Sequence, residues 1–303
     1  MDTVIEADFI EPRYKIVLKD LQQSYQVRAS NGSQPGRFLA IKSFSLEVAD
    51  GEFVTIVGPS GCGKSTLLDM IAGLARPAAG AILIDGQEIS GPALDRGIVM
   101  QGYALFPWRT VRRNIEFGLE IKGVPAAERR ELCTHYIELV NLRGFENHYP
   151  HELSGGMKQR VAIARALAYG PKVLLMDEPF AAVDAQTRET LQDELAKIWE
   201  KTHKTIIFVT HSIDEAILLA DRVVVMSANP GRIKEVIPIE LPRPRTSQKV
   251  RSSEAYARLR ERIWHNLQTP AAPDLAEDDF SQAASEESIR QAAVEEPLRQ
   301  AAL

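Results

Sequence analysis

The stretch with the clearest chemistry in this chain is the octapeptide Gly58-Pro59-Ser60-Gly61-Cys62-Gly63-Lys64-Ser65. Its spacing fits the pattern G-x-x-x-x-G-K-[ST] of phosphate-binding loops. Glycines let the backbone turn its N–H groups toward phosphate oxygens. The Lys64 ammonium adds a positive charge for the terminal phosphates, and the Ser65 hydroxyl can ligate Mg²⁺. The sequence therefore predicts that residues 58–65, together with Thr66, bind a nucleotide.

Two flanking segments have the patterns of elements that can position this loop. Residues 53–57 form a short apolar, β-branched run typical of a buried strand, and residues 66–74 have the apolar spacing of a helix. The N-terminus of a helix presents free N–H groups and the positive end of its dipole to an anion. An ordinary glycine-rich turn is the alternative interpretation, and the strand and helix on either side argue against it.

Two further stretches add groups for hydrolysis. Residues 153–160 read Leu-Ser-Gly-Gly-Met-Lys-Gln-Arg, so that Ser154, Gly155 and Gly156 open a helix predicted to run to residue 168 and offer a second phosphate nest. Residues 172–176 predict a buried strand that ends in Asp177 and Glu178. Asp177 can hold Mg²⁺, and Glu178 is placed to polarise an attacking water. Two acids that merely end a strand are the alternative interpretation.

The order of these three motifs resembles that of the ATP-binding subunits of ABC transporters, over roughly residues 14–245. The resemblance implies an α/β fold: a P-loop ABC ATPase core with an antiparallel β-subdomain and a helical signature subdomain. The ATP-binding domain would span residues 1–248, with the helical subdomain at about 102–168. ATP would be the bound nucleotide and Mg²⁺ the metal cofactor.

The same resemblance assigns roles to three single residues. Gln101 matches the glutamine that reaches Mg²⁺ and the attacking water. Asp184 matches the acidic residue of the family's D-loop, although Ala181 stands where a serine is commoner. His211, at the end of an apolar run, matches the switch histidine that contacts the γ-phosphate. Without the surrounding motifs, Gln101 would be read as an ordinary polar loop residue and His211 as an ordinary surface residue.

The aromatic residue that would stack on adenine has two candidates in this chain. Tyr25 is the better match by position, although about a dozen residues separate it from the next predicted strand. Phe38 lies at the far end of that insertion and is the alternative. The sequence leaves the choice between these two residues open.

Composition limits the compartment and the class of partner. The chain has 303 residues, of which 45% are hydrophobic and 25% charged, with a net charge of −5. Its apolar runs are shorter than the ~20 residues of a membrane helix, and its acidic N-terminus argues against a signal peptide. The two cysteines, Cys62 and Cys133, do not suggest a disulfide framework. Because no basic patch stands out, we expect no nucleic-acid partner.

The order of the predicted elements indicates a mixed architecture. Residues 15–57 predict antiparallel strands, with a hairpin turn at Asp50-Gly51. Residues 171–228 alternate between strand and helix patterns, which predicts a parallel sheet flanked by helices. Residues 249–268 have the pattern of an amphipathic C-terminal helix.

Residues 269–303 differ in character from the rest of the chain. From Pro270 onward there are eight acidic residues and two arginines, which gives a net charge of −6, and a nine-residue unit occurs three times. One interpretation is a disordered, solubilising tail. The other is a short motif repeated for avidity, with Phe280, Ile289 and Leu298 as anchors for a partner or for the ATPase core.

The number of motifs indicates how the protein assembles. Since the chain carries one set, ATP would lie between two chains, and we expect a second copy of itself or a related ATPase subunit as partner. The resemblance further implies transmembrane permease subunits, a periplasmic binding protein as an indirect partner, and a peripheral position on the cytoplasmic face of the inner membrane. Residues 102–115 resemble the family's groove for a permease coupling helix.

The type of transporter is suggested by the segments after the last predicted strand. Residues 229–233 and 241–245 resemble the importer branch that serves nitrate, taurine and aliphatic sulfonates. A soluble, non-transport ABC ATPase is the alternative. Such proteins usually carry a second ATPase cassette, a long coiled coil or basic arms, and the sequence has none of these patterns.

Overall fold

A computed structural model of the chain describes residues 14–27, 36–228, 230–245 and 250–269. The strands, in chain order, are β1 (Tyr14–Val27), β2 (Gly36–Ala49), β3 (Phe53–Val57), β4 (Ala79–Ile84), β5 (Gln87–Glu88), β6 (Arg96–Val99), β7 (Val173–Asp177), β8 (Thr205–Thr210), β9 (Arg222–Ser227) and β10 (Arg232–Pro238). The helices are α1 (Lys64–Ala72), α2 (Val111–Ile121), α3 (Ala126–Leu139), α4 (Gly155–Ala168), α5 (Ala185–Thr202), α6 (Ile213–Leu219) and α7 (Glu254–Gln268). A 3₁₀ turn covers Pro150–Glu152. The chain therefore has a mixed α/β fold, as predicted.

The larger sheet has the strand order β10-β9-β3-β8-β7-β6. Within this sheet, adjacent strands from β9 to β6 pair in parallel, and β10 pairs antiparallel with β9 at the edge. Every residue of β3 and β8 is buried, because protein layers cover both faces of the sheet. The carboxyl ends of the parallel strands lie along one edge, which is where ligands bind in open α/β sheets.

The strand β3 contacts both protein layers through alternate side chains. Phe53 and Val57 pack in a core with helices α2 to α6. Val54 and Ile56 pack in a second core with α1 and with the smaller sheet. This strand therefore anchors the loop that follows it from both sides.

The smaller sheet is antiparallel and has the order β2-β1-β4-β5. Its buried side chains include Ile16, Leu18 and Phe44, which share the second core with Leu67 and Ile71 of α1. The helix α1 is therefore held between the two sheets, and its first turn is fixed relative to both.

The predicted hairpin at Asp50-Gly51 is wrong. This turn leads from β2 into β3, but β2 pairs with β1, whereas β3 pairs in parallel with β8 and β9. Gly51 has φ 75° and donates its N–H to the Thr205 hydroxyl at 2.9 Å. The turn thus fastens onto the start of β8 and transfers the chain between sheets. The fully apolar run of β3 suits a central parallel strand better than a strand with one wet face.

The helices α2, α3 and α4 pack on one another within residues 111–168. The loop before α2 is held by the buried Asn114 side chain, which accepts the Phe106 N–H at 2.9 Å and donates to the Phe106, Arg109 and Thr110 carbonyls. This bonding fixes the shape of residues 106–110 on the surface of the helical segment.

The helix α7 packs on α6 and β9 through the buried side chains of Tyr256 and Ile263. The predicted acidic tail, apart from Thr269, lies outside the described residues. In the described part of the chain, no helix combines the length and hydropathy needed to cross a membrane.

Candidate nucleotide site

The loop after β3 has the backbone geometry of a phosphate cradle. Gly61 and Gly63 have φ 74° and 94°, which favour glycine. A Cβ atom on Gly58 would lie 2.6 Å from Cys62 Sγ, and one on Gly63 would lie 2.9 Å from the Ile41 side chain. Gly63 is the N-cap of α1, and no side chain caps the helix there. The first N–H groups of α1 therefore face the loop, as phosphate binding requires.

Lys64 places its ammonium group inside the curve of this loop. The residue is only 8% exposed, and its Nζ donates to the Gly58 and Pro59 carbonyls, both at 2.9 Å. A phosphate oxygen would give this ammonium a stronger, charge-assisted partner than a neutral carbonyl does. The loop and its lysine therefore fit the terminal phosphates of a nucleotide.

Two of the predicted catalytic residues meet at the edge of the sheet. Glu178 follows β7 with φ 42°, and its N–H donates to the Val209 carbonyl of β8 at 2.9 Å. Its Oε2 lies 3.1 Å from Nδ1 of His211, the first residue after β8. The carboxylate and the imidazole therefore lie close enough to contact the same small group. Their catalytic roles remain predictions.

The predicted Mg²⁺ ligands are oxygen donors carried by three adjacent elements. Ser65 lies in the first turn of α1, Asp177 ends β7, and the exposed Gln101 follows β6, the neighbour of β7. Hydroxyl, carboxylate and amide oxygens, with phosphate oxygens and water, are the ligands that suit Mg²⁺. Among the described residues, no cluster of three or more His, Cys, Asp or Glu could hold a metal. The metal would therefore rely on these mixed donors together with the phosphates.

A further acid near this site was missed by the sequence reasoning. Asp69 lies four residues after Ser65, so the two share one face of α1. Burial, and then the nearby Asp177 carboxylate, raise the pKa of Asp69 to about 6. The four-residue spacing between Ser65 and Asp69 predicts that both lie on one face of the helix. The spacing alone does not indicate which strand that face contacts.

The residues predicted to form a second phosphate nest lie at the start of α4. The Ser154 hydroxyl caps the helix and accepts the Met157 N–H at 3.3 Å. A Cβ on Gly156 would lie 2.5 Å from Thr187 Cγ2, and one on Gly155 would lie 3.2 Å from the Tyr103 hydroxyl. The two glycines therefore allow the start of α4 to pack against α5 and residue 103. The helix begins at Gly155, within the residues predicted to open it, and ends at Ala168.

Asp184 is the N-cap of α5 and accepts the Thr187 N–H at 3.0 Å. This hydrogen bond lowers the pKa of Asp184. The cap fixes the end of the turn that starts after Glu178. Its predicted contribution to nucleotide binding remains a prediction.

The two candidates for adenine stacking lie opposite each other. Tyr25 of β1 pairs in register with Phe38 of β2, so their side chains share one face of the smaller sheet. Tyr25 is buried, and Phe38 is partly exposed. Phe38 therefore presents more free ring surface, while both residues remain candidates.

Gly231 supports the phosphate loop from behind. It precedes β10, accepts the Lys42 N–H at 3.0 Å and donates to the Ala40 carbonyl at 2.9 Å. A Cβ atom at this position would lie 2.1 Å from the Cys62 carbonyl oxygen. Any side chain would therefore push directly on the loop.

We expect Gly231→Ala to weaken ATP binding about tenfold or more, because the loop must shift to relieve this contact. The measurement is equilibrium binding of a fluorescent ATP analogue. Gly91→Ala is the control, since a Cβ there has open space around it. Equal affinity in the two variants would contradict a supporting role for Gly231.

The fold and site together define a class of protein: a P-loop nucleotide hydrolase with a parallel sheet, a phosphate cradle and an acid–histidine pair. The family model described as ABC transporter matches residues 41–181. An uncharacterized ABC transporter ATP-binding protein of Methanocaldococcus jannaschii is 53% identical over 263 residues, covering 87% of this chain and 96% of that protein. The chain therefore belongs to the ABC transporter ATP-binding family. It is an ATPase of the ABC type and binds ATP.

Two other similar proteins are informative. The nitrate import ATP-binding protein NrtD of Synechocystis sp. is 50% identical over 217 residues, covering 72% of this chain and 82% of that protein. Among solved structures, a dimeric post-hydrolysis state of the ATP-binding cassette MJ0796 bound to ADP and Pi matches with a TM-score of 0.64 and 33% identity. That match covers 75% of this chain and all of that one.

Proposed function

We propose that this protein is the ATP-hydrolysing subunit of an importer for a small anion, and that it works as a dimer on a membrane permease. The ATPase part rests on the family and on the Glu178–His211 pair beside the phosphate loop. The transport part is carried by one observation: an exposed tryptophan, Trp108, on a rigid surface of the helical segment.

In this proposal, ATP lies between two protomers. One contributes the loop at residues 58–66, and the partner contributes Ser154, Gly155 and Gly156. The dimeric cassette bound to ADP and Pi is similar to 75% of this chain, which supports such an arrangement. The start of α4, with its free N–H groups, would then meet the γ-phosphate of the ATP held by the other protomer.

The proposed chemistry is in-line attack of water on the γ-phosphate. Glu178 accepts a hydrogen bond from the water, polarises it and takes up its proton. His211 and Lys64 stabilise the negative charge that develops on the phosphate oxygens. Ser65, Asp177 and Gln101 would hold Mg²⁺, which would supply charge neutralisation at the phosphates.

The surface around residues 106–109 fits the end of a permease helix. Trp108 is 72% exposed, and its ring lies 5.7 Å from that of Phe106, which packs on Phe117 at 4.6 Å. The Arg109 guanidinium lies over both phenylalanine rings and bonds Glu120 at 2.7 Å. A fixed, exposed aromatic beside an arginine has the character of an interface hot spot.

The proposed substrate is a small anion such as nitrate, taurine or an aliphatic sulfonate. The nitrate import protein NrtD, 50% identical, supports nitrate first. The substrate would contact the permease and a periplasmic binding protein, and this subunit would sit peripherally on the cytoplasmic face of the inner membrane. Growth of a deletion strain on each anion as sole nitrogen or sulfur source identifies the substrate, because the strain should fail to grow on the anion that the transporter imports.

The test co-expresses this subunit with the permease encoded in the same gene neighbourhood. We expect Trp108→Ala to lower the amount of permease that co-purifies about tenfold or more, since hot-spot aromatics contribute several kcal/mol to binding. Trp264→Ala is the matched control, because this tryptophan is 55% exposed on α7, away from the helical segment. Equal recovery of permease with both variants would reject the docking surface. If wild-type subunit recovers no permease either, the soluble, non-transport ABC ATPase becomes the better interpretation.

A further inference from the structure

A buried polar cluster lies directly behind His211, and none of the roles above uses it. Its centre is Glu215 of α6, which is 5% exposed. The Glu215 carboxylate accepts hydrogen bonds from the Thr210 hydroxyl and from Gln192 Nε2 of α5, the latter at 3.3 Å. Thr210 and Gln192 are themselves buried.

This cluster fixes the chain on both sides of His211. The Thr210 hydroxyl, which donates to Glu215, also accepts the Ser212 N–H at 3.0 Å. The Ser212 hydroxyl in turn accepts the Glu215 N–H at 3.3 Å and caps α6. Thr210, the residue before His211, therefore bonds the Glu215 carboxylate. Ser212, the residue after His211, bonds the Glu215 backbone N–H.

Arg188 of α5 extends the cluster to the turn that follows Glu178. Its Nη2 donates to the Val183 carbonyl at 2.9 Å, and its Nε donates to the Phe180 carbonyl at 3.3 Å. The same Nε lies 3.9 Å from Glu215 Oε1. One guanidinium thus spans the space between the turn at residues 179–184 and the acid behind His211.

The charge balance explains why Glu215 is stabilised by Arg188. Burial raises the pKa of Glu215, whereas the Thr210 hydroxyl and the Arg188 charge oppose that rise. A buried carboxylate without a cationic neighbour is costly, and removing one partner of such a pair leaves the other unsatisfied. A planar guanidinium can also hold two carbonyls in a fixed geometry, which an ammonium cannot.

We propose that Arg188 and Glu215 are a positioning pair, which holds the His211 segment and the turn from Glu178 to Asp184 in fixed register. The 3.1 Å contact between Glu178 and His211 would depend on this register, because each residue belongs to one of the two segments. This inference rests on the proposed catalytic roles of Glu178 and His211. Arg188 and Glu215 themselves contact neither nucleotide nor water in this scheme.

The test compares Arg188→Met, Arg188→Lys and Glu215→Gln in the full-length protein by steady-state ATPase assay and thermal melting. We expect Arg188→Met to lower kcat about 10-fold to 100-fold, since small misplacements of catalytic groups have effects of this size. The KM for ATP should stay within about threefold, because the phosphate loop is untouched. Arg188→Lys should recover part of kcat, since it restores the charge beside Glu215.

The control is Arg258→Met, which removes an arginine whose exposed side chain pairs with Glu254 on α7. For each variant, the number of folded sites is measured as the amount of ATP bound at saturation, and kcat is calculated per folded site. The double variant Arg188→Met/Glu215→Gln should be no slower than the slower single variant, because the two residues act as one unit. Multiplicative losses, a kcat equal to that of Arg258→Met, or a loss explained by unfolded protein would each overturn the proposal.

Glu178→Gln distinguishes this failure from failure of the proposed function. If Glu178→Gln loses hydrolysis while Arg188→Met does not, the positioning pair is rejected and the catalytic assignment stands. If Glu178→Gln hydrolyses ATP normally, the catalytic assignment itself is rejected.

Discussion

Replacing Lys64 with alanine should severely weaken ATP binding. The ammonium group lies inside the phosphate loop, 2.9 Å from the Gly58 and Pro59 carbonyls, and it is the charge that the terminal phosphates would meet. Hydrogen bonds to charged groups contribute about 1.5–3 kcal/mol, so Lys64→Ala should weaken binding by about tenfold to a hundredfold. Isothermal titration of ATP into the purified subunit measures the change.

The control for this variant is Lys172→Ala. Lys172 pairs with an acid, Asp85, but its side chain is half exposed and it lies next to the start of β7, at the opposite end of the strand from Asp177. Its removal should leave the ATP dissociation constant unchanged. If Lys64→Ala binds ATP as tightly as Lys172→Ala does, residues 58–65 are not the phosphate site.

The elements around the site were predictable because their patterns are local. The apolar run that precedes His211 was recognised in the sequence, and the structure has the strand β8 there, at Thr205–Thr210. The proximity of Glu178 and His211 then follows from topology, since β7 and β8 pair in parallel and both residues come just after these strands. For such residues, the motif and the strand order together determine the geometry.

The turn at Asp50-Gly51 shows where local patterns stop. The dipeptide has the composition of a hairpin turn, and it does make a turn. The partner of the next strand is decided by burial of β3 on both faces, which depends on layers supplied by distant parts of the chain. The residue types of the turn carry no information about which strand β3 pairs with.

The residues that sequence reasoning missed act through long-range packing. Gly231 matters because a Cβ atom there would lie 2.1 Å from the Cys62 carbonyl oxygen, and Arg188 matters because the register of α5 turns it toward Glu215 of α6. A glycine before a strand and an arginine on a helix are individually unremarkable in sequence. Only the folded chain brings these distant residues into contact.

Replacing Glu178 with glutamine should remove nearly all hydrolysis while ATP binding persists. The amide has almost the same shape as the carboxylate, but it cannot accept the proton of the attacking water. A positioned general base contributes about 10²-fold to 10⁴-fold to rate, and a loss of this size is expected in single-turnover assays. Glu189→Gln is the control, since this acid is exposed and pairs with Arg251 on the surface.

ATP that binds but is not hydrolysed should hold two Glu178→Gln protomers together, because the nucleotide bridges the phosphate loop of one and the start of α4 of the other. Size-exclusion chromatography with ATP should then show a dimer that disperses when ATP is removed. Adding Ser154→Arg places a long cation at the cap of α4, beside the close-packed Gly155 and Gly156. That double variant should bind ATP but remain monomeric. A stable ATP-dependent dimer in spite of Ser154→Arg would mean that the start of α4 does not meet the partner's nucleotide, and the shared-site arrangement would be rejected.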